Sequence, residues 1–238
     1  MTCDEEIAPP RSDWGYNYYP MDIGMEWNYE MDSITLRPQI GGVLFDSVHL
    51  LVRETLVDTI RDLEELLWFR GERYDRHSDT LPWRFRQTFL LRRDGQRAYR
   101  REDNLEFVKM VFPVKQHKNW DGHAAFDEFR EIEVGGQPIQ IYRDWNYHFV
   151  SVDEIENIGN LSYDSLTVIE GVDTDDDIVD RRFAIEKYAR GIGLVYREME
   201  VFETQCNDCC GLDLIQCIEL PWRDKAEAGF IIRQWLVE

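Results

Sequence analysis

The chain has 238 residues, 43% hydrophobic and 13% aromatic, which is ample material for a core and too aromatic for a disordered chain. Asp and Glu number 47 against 27 Lys and Arg, a net charge of −20. A surface this negative repels phosphate backbones and anionic lipid heads, which argues against nucleic acid as a partner and against electrostatic docking on a membrane.

Residues 1–14 read as a flexible acidic tether, with Cys3 followed by Asp4-Glu5-Glu6 and then Pro9-Pro10, and no apolar period. A thiol at the head of such a tether suits a thioether link to diacylglycerol, because two or three acyl chains hold a protein to a membrane where one does not. On this reading Cys3 is a lipidation site and Met1-Thr2 stand where a signal peptide has been removed. The competing reading is an incidental early cysteine. No run of about 18 apolar residues is present to span a bilayer. Residues 15–238 contain no Pro/Ser-rich linker and are expected to form a single β-rich domain.

From Met25 to Leu36, Trp27, Tyr29 and Met31 alternate with Asn28, Glu30 and Asp32, which predicts a half-buried strand. Over 48–74 two periods compete. Leu56, Ile60, Leu63 and Leu67 recur at helical spacing and predict a helix over 54–67, whereas Val48-Leu50-Val52 alternate like a strand. Trp83 to Leu91 alternates again, Asp94-Gly95 marks a hairpin turn, and Leu105 to Val114 returns to strand pattern. Ile132–Val134 and Ile139–Ile141 flank Gly135-Gly136 as a tight hairpin. Further strands are expected near 145–152, 165–170, 178–188, 193–204 and 230–237. Many short strands at regular spacing predict a mainly β fold with minor α, an antiparallel meander forming a curled sheet, partial barrel or sandwich. The aromatics Trp27, Tyr29, Trp83, Phe85 and Phe107 are expected to line its inner side as core.

Cys206, Cys209, Cys210 and Cys217 cluster near the C-terminus. Four thiolates could hold one zinc ion, but the adjacent pair Cys209-Cys210 fits a tetrahedral site poorly, and in an oxidising compartment the same residues form disulfides. A bond between the adjacent pair is strained, so Cys217 would pair with Cys206, Cys209 or Cys210. The histidines at 49, 77, 117, 123 and 148 form no metal-binding pair by spacing. Asp173, Asp175 and Asp177 open like a calcium loop, but Ile178 stands where its glycine is required. No nucleophile elbow or phosphate loop is present, and carboxylates are too many to single out a catalytic pair. No catalytic residue, cofactor or metal is therefore expected, and the ligand or protein partner is not named by any motif.

Several segments carry a resemblance. Tyr19-Pro20-Met21-Asp22-Ile23-Gly24-Met25-Glu26-Trp27-Asn28-Tyr29 resembles the opening of many bacterial lipoproteins. Asn104–Lys109, Phe112-Pro113-Val114 and Trp120-Asp121-Gly122 are similar to the middle of uncharacterised cell-envelope lipoproteins of Bacteroidota-type bacteria, and Glu186–Tyr196 resembles their Gly-rich segment. The resemblance implies an extracytoplasmic lipoprotein of antiparallel strands, lipid-anchored at the outer membrane or cell surface, a non-enzymatic binding or interaction module. An anchored hydrolase and a purely structural envelope protein are the alternatives. It also favours paired strands over 48–74, although Arg61–Glu65 stand where a glycine turn is expected.

Overall fold

The computed structural model describes residues 13–174, 178–205 and 214–237. Its strands are β1 (Glu26–Gln39), β2 (Gly42–Arg61), β3 (Leu67–Arg76), β4 (Arg84–Arg93), β5 (Arg97–Glu102), β6 (Leu105–Val111) and β7 (Asn119–Trp120). They continue as β8 (Ile132–Val134), β9 (Gln137–Ile139), β10 (Tyr147–Ile158), β11 (Leu161–Asp173), β12 (Asp180–Ala189), β13 (Gly193–Glu203) and β14 (Ala228–Leu236). A 3-10 turn, Tyr16–Tyr18, precedes them, and two short helices, α1 (Leu214–Ile218) and α2 (Trp222–Lys225), lie before β14.

Twelve strands form one antiparallel sheet in the order β6-β5-β4-β3-β2-β1-β14-β13-β12-β11-β10-β7, while β8 and β9 pair as a separate hairpin. The last strand inserts beside the first, so two runs of consecutive hairpins share one sheet. That sheet curls until it is nearly closed. At the seam the Val108 N–H donates to the Gly122 carbonyl at 2.9 Å, and the Trp120 indole donates to the Val108 carbonyl at 2.8 Å. The expected meander is thus a nearly closed antiparallel barrel, which leaves few ladder groups unpaired.

Alternation decides what faces inward. On β1, Trp27 and Tyr29 are buried, and the intervening positions carry polar side chains outward. The outer face holds a cross-strand row of charges: Asp32 lies opposite both His49 and Arg233, and Arg233 lies opposite Glu198. His49 Nδ1 is 2.8 Å from Asp32, and Arg233 bonds Glu198 at 2.5 Å and Glu200 at 2.8 Å. A face with these charges is costly in hydrocarbon and belongs in water.

The 3-10 turn closes one end. Tyr18 is fully buried and its hydroxyl donates to Asp153 at 2.6 Å, while Arg93 donates to the Tyr16 carbonyl at 2.6 Å. Gly15 has φ 78°, and a Cβ there would sit 2.7 Å from Val114, so the entry to this turn requires glycine. At the other end Ile139 and Ile141, on and just after β9, pack with Val172, Met199, Val201 and Phe230 as a second cluster. A third cluster sits on the opposite face, where Ala226 and Trp222 cover Leu36, Phe202 and Ile231.

The helical reading of 54–67 does not hold. β2 runs through Arg61 and turns into β3. The apparent stripe is not a face: Leu56 is buried, but Leu63 is 105% exposed and Ile60 and Leu67 also lie outside. Asp62 makes the turn, accepting from the Glu64 and Leu66 N–H groups at 3.0 Å and from the Trp68 indole at 2.8 Å. Glu65 adopts φ 60°, the conformation for which a glycine was expected. Among the five aromatics read as inner core, Trp27, Tyr29 and Phe107 are buried. Phe85 is 55% exposed, and Trp83 is half-buried beneath the guanidiniums of Arg53 and Arg76. The cause is a register shift between Arg73 and Tyr74 that sets Phe85 opposite Tyr74 rather than over the core.

Candidate functional site

The barrel interior is not uniformly apolar. A row of consecutive cross-strand partners, Glu186 on β12, Arg197 on β13, Gln234 on β14 and Met31 on β1, shares one face of the sheet. Glu54, Arg73, Arg100, Glu102 and Lys109, on β2 to β6, line the same cavity. It is about 40 Å³, room for a few waters. A second cavity of about 220 Å³, lined by Arg73, Glu102, Phe107, Tyr142, Arg197 and Gln234 among others, shares three of these charged residues.

Contacts between strands far apart in the sheet stitch the interior together. Arg100 grips Glu54 with both terminal nitrogens, at 2.7 and 3.1 Å, and its Nε donates to Glu102 at 2.8 Å. Arg73 is 3.0 Å from the same Glu54 and also donates to the Gln234 side-chain oxygen at 3.0 Å. Lys109 on β6 reaches across to Glu186 on β12 at 2.5 Å, and the Tyr188 hydroxyl donates to the other Glu186 oxygen at 2.7 Å.

Burial pushes the Glu54 carboxyl up, but Arg100 and Arg73 outweigh it and hold the group below its ordinary range. Glu186 follows the same logic, with burial overcome by Lys109 and Arg197. Glu102 is likewise held far down, burial being overcome chiefly by Arg100 and Arg197. Lys109 is pushed down by burial, with Glu186 opposing. Three carboxylates kept ionised in this way do not donate a proton near neutrality.

Arg197 is the exception to the pairing. Its side chain makes no hydrogen bond or ion pair with any described residue, and its Nε is buried without a partner. Gln234 is 1% exposed, and once its oxygen has accepted from Arg73 its Nε2 donor has no partner. Two adjacent buried donors thus look into the cavity without an acceptor from the described residues.

Other candidates fall outside this site. His117 is exposed in a loop at φ 63°, whereas His123 is buried among Phe107, Phe126, Tyr142, Trp145 and Tyr147. The two do not share a site, and no group of three His, Cys, Asp or Glu suited to a metal occurs among the described residues. Burial, aided by Lys109, lowers His123 from 6.5 to about 4, against the opposing charge of Asp121. The unfolded chain then binds this proton between pH 6.5 and 4 while the folded chain does not, so stability falls as pH drops through that window, by on the order of 3 kcal/mol. Thermal melts between pH 7 and 4 should show the loss, and His123→Phe should remove most of it above the carboxylate range.

Cys217 is fully buried in α1. Cys3, Cys206, Cys209 and Cys210 lie outside the described residues, as do Asp175 and Asp177. Asp173, at the end of β11, pairs with Arg181 across the hairpin. No described helix is long and apolar enough to cross a membrane.

No family model and no curated protein sequence matches the chain. Among solved structures, a Bacteroides fragilis protein classed as exported and described as having a YmcC-like fold aligns over 92% of this chain and 98% of its own. The identity is 10% and the TM-score 0.32, a likeness at which nothing of its role passes to this chain.

Proposed function

We propose that this protein is a non-enzymatic binding module of the bacterial cell envelope, tethered through a lipid on Cys3, whose barrel interior receives a small molecule. The observation that supports binding is the polar interior itself. Buried charges cost free energy unless paired, and a barrel needing only stability would fill its lumen with apolar side chains. Here Arg197 and Gln234 line a cavity with donors that no described residue satisfies. Small-molecule sites combine apolar and aromatic walls with a few convergent polar groups, and Phe107 and Tyr142 supply the walls. The charged outer face and the net charge of −20 suit a water-exposed position, and the acidic segment after Cys3 supplies the tether.

Native mass spectrometry of the protein expressed with its own leader and extracted from membranes tests both halves together. Expected are a diacylglyceryl adduct mapping to Cys3 and a non-covalent small-molecule adduct released on denaturation. An unmodified soluble species would remove the anchor. Absence of any adduct, with no thermal shift across a metabolite library, would remove the binding reading.

A further inference from the structure

We infer that Arg197, Arg73 and Gln234 bind the carboxylate of a small organic acid whose apolar body rests against Phe107 and Tyr142. This rests on the barrel interior being the binding site, and it names what enters.

The charge count within the deep cavity points to an anion. Its lining holds four cations, Arg73, Arg100, Lys109 and Arg197, against three carboxylates, Glu54, Glu102 and Glu186. Each carboxylate already has a cation in contact: Glu54 with Arg100 and Arg73, Glu102 with Arg100, Glu186 with Lys109. One cation remains without a partner in contact, Arg197, whose side chain has no ion pair or hydrogen bond among the described residues, with Glu102 and Glu186 acting on its charge only from a distance. At the wider cavity Asp103 restores balance in number only, since it is exposed on the turn after β5 and its charge is screened by water.

The donor set also selects the ligand type. Arg197 and Gln234 are direct cross-strand partners, so their side chains stand side by side on one face of the sheet. Their free groups, Nε and Nε2, are donors and not acceptors. Arg73 stands beside them, fixed by Gln234 on one side and Glu54 on the other. Donors of this kind favour an ionised, planar acceptor over a neutral hydroxyl or amide, because charge-assisted hydrogen bonds are roughly twice as strong. The cavity of about 220 Å³ limits the ligand to a small molecule, and the edge-on Phe107–Tyr142 pair, 5.4 Å between ring centres, gives it an apolar wall.

The test is a set of matched probes on the full chain: benzoate, its neutral isostere benzamide, and phenyl phosphate, titrated by calorimetry with tryptophan fluorescence as a second readout. Benzoate should bind at least about tenfold more tightly than benzamide and than phenyl phosphate. Arg197→Gln should weaken benzoate by about tenfold or more while leaving the chain folded. Gln234→Glu supplies the missing carboxylate from within the protein. It should raise the melting temperature and abolish benzoate binding. Equal affinity for benzoate and benzamide would overturn the carboxylate while leaving the interior as a binding site. Tighter binding of phenyl phosphate would overturn it in favour of a phosphate ester. No binding of any probe, or a lower melting temperature for Gln234→Glu, would also overturn it, and the native mass measurement would then decide separately whether the interior binds anything.

Discussion

Glu54→Ala is expected to destabilise the fold by about 3–5 kcal/mol, because removing one partner of a buried ion pair leaves the other charge without compensation. Glu54 is 3% exposed and accepts both terminal nitrogens of Arg100, with Arg73 also in contact. Its loss strands two guanidiniums in the interior at once. Arg100 would retain Glu102, and Arg73 would retain only the neutral Gln234. Urea denaturation at pH 7 reads the effect directly. A double variant, Glu54→Leu with Arg100→Met, should recover much of the loss, since an apolar pair of similar volume carries no desolvation cost. A loss below about 1 kcal/mol for Glu54→Ala would show that this cluster is solvated, as exposed pairs are. Acid should act in the same direction. Carboxyls held below their ordinary range contribute stability that is complete above the unfolded value and lost as pH falls toward the folded one. The added loss from these groups therefore begins below about pH 4.5, at the acid end of the His123 window.

Most strands were legible because their outer residues are polar and their inner ones large. β1, β4, β6, β13 and β14 lie within a few residues of the alternating runs at 25–36, 83–91, 105–114, 193–204 and 230–237. The turn at 62–66 was not legible from pattern, because Asp62 and Glu65 perform what a glycine usually does and three exposed leucines and isoleucines imitate a helical stripe. The interior site was missed for a different reason. Alternation assigns charged residues to the outside, whereas Glu54 lies in phase with Val52 and Leu56, Arg197 with Val195 and Met199, and Gln234 with Ile232 and Leu236. A polar residue flanked at both i−2 and i+2 by core positions was the available signal, and it recurs at Glu186 between Ala184 and Tyr188. The orphaned donors could not be found in this way, since they depend on which partners meet across the barrel rather than along a strand.

Trp27→Ala is the complementary expectation, a loss of about 3–5 kcal/mol from the apolar side of the same cavity. Trp27 is 7% exposed, packs in the main core cluster, and donates its indole N–H to the Ile192 carbonyl at 2.6 Å. That bond joins β1 to the turn before β13, so the variant loses both ring volume and a tie between the two runs of hairpins. Trp27→Phe separates the contributions: it keeps most of the volume and should cost little more than the hydrogen bond, about 1 kcal/mol. Phe85→Ala provides the control. Phe85 has a similar alternating context in sequence but is largely exposed, so its removal should change stability by no more than about 0.5 kcal/mol. Because Trp27 also lines the deep cavity with Tyr19 and Tyr29, its fluorescence should respond to a ligand that enters there. A Trp27→Ala chain with unchanged melting temperature would place the ring outside the core, and a Phe85→Ala chain that melts early would place the β3–β4 register one residue away from the one described.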